Sequence, residues 1–191
     1  MGWSPDFTEV FSKVFRLGEP REGALVMQKG SAPPVTVAPY TPRADYFYAG
    51  QSEDGSVVIF ESSSKLTNEA RAGLPNVYAW DRDTGDLTLA GTYNDKTSPP
   101  KGALAGPYWW IAGSSGRYLS LGGAERSMYL REEHAVSAEG SVIFTEVGTG
   151  QLYRRINPTA RGEVHPLIDP MANAVGSDRD RRTRHRPHRP R

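Results

Sequence analysis

Cysteine is absent from this chain of 191 residues. Its absence excludes thiol nucleophiles, thiolate metal sites and disulfide bonds, although it leaves the cellular compartment open. Histidine is scarce, and its 4 residues include no i, i+4 pair of the kind that binds a metal on a helix. Residues 113–116, Gly-Ser-Ser-Gly, have the wrong spacing for a nucleophile elbow, and no phosphate-binding loop is present. We therefore expect a protein that is not an enzyme and that uses no cofactor and no metal ion.

Long apolar runs are missing as well. No segment of the sequence approaches the roughly 20 apolar residues that a membrane-spanning helix requires, so we expect no membrane span in this chain. Residues 1–3, Met-Gly-Trp, lead into a turn without the charged, apolar and small-residue regions of a signal peptide. The compartment is therefore unknown from these residues alone.

Glycine and proline, in contrast, are plentiful. The chain contains 20 Gly and 15 Pro, and aromatic residues make up 10% of it. Together with a negative mean hydropathy, this composition is typical of a turn-rich all-β protein.

Residues 52–93 contain the clearest secondary-structure pattern in the chain. Residues 57–60, Val-Val-Ile-Phe, are β-branched and aromatic, as in a strand that is covered on both faces. Residues 76–80 alternate with the strand period of two, and residues 87–91 form a third apolar stretch. Asp54-Gly55 supplies a tight turn, because Gly adopts a positive φ without steric cost and Asp bonds to nearby backbone. The pattern predicts a three-stranded antiparallel meander.

Two further stretches repeat this pattern. Residues 134–146 follow residues 52–61 almost position for position, with Glu139-Gly140 in place of Asp54-Gly55, and the next strand is predicted at residues 151–155. Beyond residue 157 this copy loses its strand pattern. A weaker copy opens the chain, and it has a turn at residues 4–7 and strands at 8–15, 24–27 and 35–38. Because a single meander cannot bury its own faces, we expect the copies to pack on one another.

The shared motif is Ser-x-[Asp/Glu]-Gly-Ser-x-[Val/Ile]-x-Phe, with one residue fewer in the strand of the copy that ends at Phe144, followed by a polar loop and [Asn/Gln]-[Val/Leu]-Tyr. It resembles the blades of TolB-type, WD40-like bacterial β-propellers. The resemblance implies an all-β fold, a partial β-propeller of three to four antiparallel blades. Residues 177–191 contain no apolar residue except proline, so a disordered Arg-rich C-terminal tail is expected after the propeller. The expected domains are an incomplete propeller over residues 1–170 and a disordered basic tail over residues 171–191. The expected blades lie at roughly 1–42, 43–95 and 134–170, and residues 96–133 are expected to be a degenerate or inserted blade.

The same resemblance implies a function. Propellers of this type are mainly binding or assembly modules of exported or surface-attached bacterial proteins. We therefore expect a non-catalytic binding or scaffold module in an extracytoplasmic location, although no signal peptide is present in this chain. Loops between the strands would bind a protein or a glycan, and the uncovered sheet faces of a partial ring predict self-association. The alternative is the propeller domain of a larger hydrolase, such as a prolyl oligopeptidase-type peptidase.

Three adjacent aromatic residues, Tyr108, Trp109 and Trp110, are the best ligand-binding candidates. They lie in the least blade-like part of the chain, directly after Gly106-Pro107. Because Trp and Tyr combine an apolar face with a polar group, they could form a platform for a sugar or a peptide. They could equally form the core of a degenerate blade, and both interpretations remain open.

Asp81, Asp83 and Asp86 are close enough in sequence to suggest a calcium loop. Gly85, however, lies at the position where such a loop would require an oxygen ligand. Asp and Gly are favoured in tight turns for backbone reasons alone, so we predict a turn here and no metal site.

The C-terminal residues 178–191 contain seven Arg and two Asp, and so carry a charge of +5 against +1 for the whole chain. Arg side chains bind phosphate groups, which makes a nucleic-acid binder a further alternative. The tail has no aromatic residue on which bases could stack. We therefore expect a solvated tail that binds DNA only weakly, at low salt.

Overall fold

The computed structural model describes residues 2–4, 6–18, 20–106 and 135–167. These residues form strands β1 to β12 and no helix. The strands make three four-stranded sheets, each antiparallel and each built from strands that are consecutive in the chain. The prediction of an all-β fold is confirmed, and the described sheets do not close into a ring. The tail predicted for residues 171–191 lies outside the described residues.

The first sheet is formed by the N-terminal part of the chain. Its strands, in spatial order, are β1 (Gly2–Trp3), β2 (Glu9–Arg16), β3 (Glu22–Lys29) and β4 (Val35–Pro42). The three longer strands overlap the stretches that the sequence predicts as strands, and β2 is shifted by one residue from the predicted 8–15. β1 is too short to show a periodicity, and it pairs with β2 through Gly2 opposite Phe11 and Trp3 opposite Val10.

The second sheet contains the stretch with the clearest sequence pattern. Its strands, in spatial order, are β5 (Phe47–Gln51), β6 (Val57–Ser62), β7 (Asn76–Asp81) and β8 (Leu87–Leu89). β6 and β7 pair along their whole length, with Val58 opposite Trp80 and Phe60 opposite Tyr78. The three strands predicted from residues 52–93 are therefore β6, β7 and β8.

The third sheet combines two distant parts of the chain. Its strands, in sequence order, are β9 (Ala103–Ala105), β10 (Val142–Glu146), β11 (Leu152–Arg155) and β12 (Val164–Pro166). β9 lies within residues 96–133, the expected degenerate or inserted blade, yet it pairs with β10 through Ala105 opposite Phe144. The expectation that the strand pattern ends after residue 157 is wrong for β12, because this strand pairs with β11 along the sheet edge.

The second sheet is covered on both faces, as its sequence predicts. Val58, Phe60, Tyr78 and Trp80 belong to a core that they share with residues of the first sheet, such as Phe11 and Leu25. The alternate positions Ile59, Val77 and Ala79 belong to a second core, shared with the third sheet. The first core is rich in aromatic side chains. The second contains the small residues Ala90, Ala103, Ala105 and Ala135, which allow the second and third sheets to approach closely.

Each sheet has the same hydrogen-bonded turn before its second strand. In the second sheet, the amide of Ser52 donates to the carbonyl of Val57, the amide of Gly55 donates to the carbonyl of Ser52, and the amide of Val57 donates to Ser52 Oγ. The corresponding three bonds form around Ser4 in the first sheet and around Ser137 in the third, where the turn is one residue shorter. The repeat seen in the sequence is therefore also a repeat of backbone geometry.

The third residue of the turn differs between the copies. Asp54 Oδ1 accepts hydrogen bonds from Ser52 Oγ and from the amide of Ser56, and Asp6 does the same with Ser4 and Thr8. These bonds, first of all those from the serine hydroxyls, lower the pKa of Asp54 and of Asp6 to about 2. In the third copy the longer Glu139 instead contacts Arg154 at 2.8 Å.

Candidate functional site: a cavity between the second and third sheets

A cavity of about 310 Å³ lies between the second and third sheets. One wall is formed by β8 and the residues that follow it, and the other by the connection between β11 and β12. The lining residues are Glu69, Leu89, Thr92, Tyr93, Asn94, Lys96, Arg155, Arg161, Gly162 and Glu163. Its volume is at the lower end of the range for small-molecule sites.

Arg155, the last residue of β11, is the most buried charged group of the cavity, with 3% of its surface exposed. Its Nε donates to the carbonyl of Ala90 at 2.6 Å, and its Nη1 to the carbonyl of Gly162 at 2.8 Å. Nη2 donates to the backbone and hydroxyl oxygens of Thr92. The guanidinium thus joins the end of the second sheet to the third sheet through oxygen atoms that carry no full charge.

No carboxylate forms an ion pair with Arg155 among the described residues. Burial, and to a smaller extent the positive charge of Arg161, lowers the pKa of Arg155 to about 10. The guanidinium therefore remains protonated at neutral pH. A buried cation that lacks a counter-ion is costly unless hydrogen bonds or a bound anion stabilise it.

Lys96 lies in a tight turn at the rim of the cavity. The turn is closed by the amide of Lys96, which donates to the carbonyl of Tyr93, and by the amide of Tyr93, which donates to the carbonyl of Thr97. Lys96 has a φ of 68°, a left-handed conformation that is unusual for a residue other than glycine. Its side chain forms no ion pair with the part of the chain that the structure describes.

Arg161 and Glu69 form an ion pair, and Glu163 contacts a histidine that carries a charge only when it is protonated. Arg161 Nη2 lies 2.8 Å from Glu69 Oε1, and His165 Nε2 lies 3.3 Å from Glu163 Oε2. Arg161 also has a left-handed φ, of 55°. Three cations and two carboxylates line the cavity, so its formal charge is +1.

Two polar side chains fix the walls. Asn94 mimics a strand neighbour of Val164: its Nδ2 donates to the Val164 carbonyl at 2.9 Å, and its Oδ1 accepts from the Val164 amide at 2.7 Å. Tyr93 packs edge-on against Tyr153, with 5.6 Å between ring centroids. Burial and the nearby Glu146 carboxylate raise the pKa of Tyr93 to about 12, so its hydroxyl stays protonated at neutral pH.

A separate charged cluster connects the first and second sheets. Glu9, only 3% exposed, accepts hydrogen bonds at 2.8 Å from both Nη1 and Nη2 of Arg82. These bonds lower the pKa of Glu9, although burial partly opposes the shift. The cluster is a closed bidentate ion pair that joins two sheets, and we assign it a role in packing.

The aromatic candidates Tyr108, Trp109 and Trp110 lie outside the described residues. The structure does describe Gly106 and Ala135, the residues on either side of 107–134. The amide of Gly106 donates to the carbonyl of Ile143, and the amide of Ile143 donates to the carbonyl of Ala135. The two residues that flank 107–134 therefore bond to the same residue of β10.

The four turn residues singled out in the sequence lie near one another. Asp54 and Gly55 belong to the second turn, and Glu139 and Gly140 to the third. The two turns are joined by a hydrogen bond of 2.9 Å from the amide of Glu53 to the carbonyl of Ala138.

Sequence reasoning did not find Lys96, Arg155 and Arg161. Arg155 gave one usable signal, because the strand predicted at residues 151–155 places it on the same face as Tyr153, although Leu-Tyr-Arg-Arg in β11 does not alternate between apolar and polar residues. A charged residue at an inward position is either paired or functional. The sequence contains no such signal for Lys96 and Arg161, since both are exposed cations in loops.

No protein-family model matches the chain, and comparisons with curated proteins and with solved structures find no match. Among the described residues, no cluster of histidine and acidic side chains has the arrangement needed to hold a metal ion. The same residues include no helix whose length and hydropathy would let it cross a lipid bilayer.

Proposed function

We propose that this chain is part of a β-propeller of the TolB-like type and that it acts as a non-catalytic binding or scaffold module. The observation that carries the proposal is the repetition of one sheet design. Each of the three sheets has four antiparallel strands and the same serine-centred turn before its second strand.

The direction of packing supports the same proposal. Val58 and Val142 each follow the residue whose carbonyl accepts from the turn serine, so they are equivalent, and each side chain packs towards the preceding sheet. Phe11 and Ile59 are likewise equivalent, and each packs towards the following sheet. The third sheet therefore packs on the second with the same faces as the second packs on the first. Neighbouring blades of a propeller are related in this repeated way.

The cavity between the second and third sheets is the proposed binding site. It brings together a buried guanidinium at the end of β11 with an unpaired rim cation and a tyrosine on a connection between strands, and such connections often carry binding residues. The ligand classes expected from the sequence, a protein or a glycan, remain proposals. So does the assignment to an exported or surface-attached bacterial protein.

A ligand screen tests the binding function. The purified chain is heated in the presence of glycans, short peptides, organic acids and phosphates, and its midpoint of unfolding is measured. A true ligand present at a hundred times its Kd stabilises the folded state by about 2.7 kcal/mol, so it raises the midpoint clearly. If no class of compound raises the midpoint, the binding proposal is wrong, and if one is chemically converted, the non-catalytic proposal is wrong.

A further inference from the structure

Arg155 has more hydrogen-bonding capacity than its surroundings use. A guanidinium carries five N–H bonds. The Nε hydrogen, one Nη1 hydrogen and the Nη2 group are bonded to Ala90, Gly162, Thr92 and Tyr93. The second Nη1 hydrogen has no acceptor among the described residues, although Arg155 forms part of the cavity wall.

A neutral donor lies beside this group. Thr92, 4% exposed, accepts a hydrogen bond from Arg155 through its hydroxyl oxygen, so its own hydroxyl hydrogen is free to be donated. Thr92 also lines the cavity. The buried part of the cavity thus offers two donors, one charged and one neutral.

A ligand with a single negative charge would neutralise the net charge of the cavity lining. Arg161 is engaged by Glu69 at 2.8 Å, which leaves Arg155 and Lys96 as the cations without a carboxylate partner among the described residues. The formal charge of the lining is +1. Glu69 and Glu163 would repel a second negative charge, which disfavours a dianionic phosphate relative to a carboxylate.

The cavity also has an apolar side. Leu89, at the end of β8, and the ring of Tyr93 form part of its wall. An oxyanion bound to Arg155 and Lys96 would therefore have room for a small apolar group against these two side chains.

We propose that the cavity binds a small organic monocarboxylate, with its carboxylate group held by Arg155, Thr92 and Lys96 and its apolar group against Leu89 and Tyr93. The inference rests on the proposed binding function and specifies its ligand class. A carboxylate here would supply the counter-ion that the buried guanidinium lacks.

Benzoate and benzamide form a matched pair of probes, because they have the same shape and differ in charge. We titrate each into the isotope-labelled full chain and follow the backbone amide signals by NMR. Benzoate is expected to bind with a Kd in the millimolar range, as is usual for a ligand of about nine heavy atoms. Its signal changes should centre on residues 89–96 and 155–163, benzamide should bind at least about tenfold more weakly, and inorganic phosphate should also bind more weakly.

Lys96→Gln is the informative variant, because Lys96 is exposed and its loss should not affect folding. We expect it to weaken benzoate binding by about threefold to fivefold. Lys65→Gln removes a lysine that is exposed and lies outside the cavity, and it should leave the Kd unchanged. Raising the salt concentration should weaken benzoate binding to the unaltered chain and have a smaller effect on Lys96→Gln.

Equal binding of benzoate and benzamide, or equal effects of the two lysine variants, would overturn the inference. If another class of ligand shifts the same cavity signals while benzoate does not, the ligand class is wrong and the binding function stands. If neither benzoate nor any compound of the wider screen shifts them, the binding function fails as well.

Discussion

Arg154 and Arg155 are neighbours in β11 that lie in opposite environments. Arg155 faces the second sheet and is bonded to carbonyl groups of Ala90, Thr92 and Gly162. Arg154 faces away from it, with 42% of its side chain exposed, and contacts Glu139 at 2.8 Å. The same residue type thus forms a buried cross-link at one position and a surface ion pair at the next.

Replacing Arg155 with Met should lower the free energy of unfolding by about 2–4 kcal/mol, because several buried carbonyls would lose their donor. Arg154→Met is the matched control, and it should cost less than about 1 kcal/mol, as for other exposed ion pairs. Urea unfolding of the two variants measures both values. Equal losses would show that Arg155 does not cross-link the sheets.

The residues of the cavity show why the site was harder to predict than the fold. Arg155 shares a strand face with Tyr153, but Leu-Tyr-Arg-Arg in β11 does not alternate, so the sequence does not show which face is buried. The acceptors at Ala90 and Thr92 lie more than 60 residues away in sequence. Lys96 and Arg161 line the same cavity only because two unrelated loops are brought together by the packing of the second and third sheets. Local sequence patterns do not show which distant loops will lie side by side in the folded chain.

At the scale of the elements, the serine-centred turns depend on ionised carboxylates. The hydroxyl of Ser52 and the amide of Ser56 bond to Asp54 and lower its pKa from 3.8 to about 2. A carboxyl group whose pKa is lower in the folded state stabilises that state above its unfolded pKa. This stabilisation is lost as the pH falls through the folded value. For Asp54 the loss should occur between pH 4 and pH 2.

We expect the free energy of unfolding to decrease between pH 4 and pH 2, and Asp54→Asn to reduce the slope of that decrease. Asp83→Asn is the control, because no hydrogen bond from the described residues to the Asp83 carboxylate is present. Chemical unfolding at a series of pH values gives the slopes. An unchanged slope in Asp54→Asn would contradict a stabilising role of the ionised carboxylate.

The close packing of the second and third sheets is a further property of the elements. A Cβ atom at Gly91 would lie 2.8 Å from the Cβ of Ala103 and 3.2 Å from the Cβ of Val77. Neither neighbour can move without shifting its strand. The small residues of this core therefore set the distance between the two sheets.

Gly91→Ala should lower the free energy of unfolding by about 1–3 kcal/mol through overpacking. Gly18→Ala is the matched control, because the nearest atom to its added Cβ would be 3.8 Å away. That variant should be neutral, or more stable by up to about 1 kcal/mol, through the lower entropy of the unfolded chain. If both variants unfold at the same denaturant concentration, the two sheets are not packed as tightly as described.

The elements that the sequence predicted and those that it missed differ in a physical way. β6 contains a continuous run of β-branched and aromatic residues, and β7 follows the strand period of two, so their own side chains define them. β9 consists of Ala-Leu-Ala, and β12 ends in Pro166. These two are strands because an existing strand offers them free backbone groups, and an edge position tolerates proline. Such edge strands depend on their neighbours rather than on their own composition.

At the scale of the whole molecule, the stacking of the sheets leaves the outer sides of the first and third sheets without a described neighbour. In β2, Phe11 faces the second sheet, so the adjacent Val10 faces outward, with 44% of its surface exposed. Exposed apolar positions on a sheet favour association. The short motifs of the sequence predicted the sheets themselves, but the arrangement of one sheet on the next depends on the whole core between them.

We expect light scattering to give a mass above that of the monomer, increasing with concentration. Val10→Lys should shift the mass towards the monomer, because a charge would have to be buried in the contact. Leu17→Lys introduces the same charge at a residue that is 99% exposed in the loop after β2, and it should have no effect. A monomeric mass at every concentration would contradict self-association.

Gly106 and Ala135, the residues on either side of 107–134, both bond to Ile143, so the third sheet can accept an insertion at this point. Gly106 and Ala135 occupy the same position opposite β10, between the pairs formed by Ala105 with Phe144 and by Val136 with Val142. Joining Ala105 directly to Ala135 would give one continuous strand opposite β10, in which Ala135 takes the place of Gly106 opposite Ile143. The entropy of closing a loop grows only slowly with its length. An insertion at this point of the third sheet should therefore cost an entropy that depends only weakly on its length, and the pairing of β9 and β10 can be kept whatever that length is.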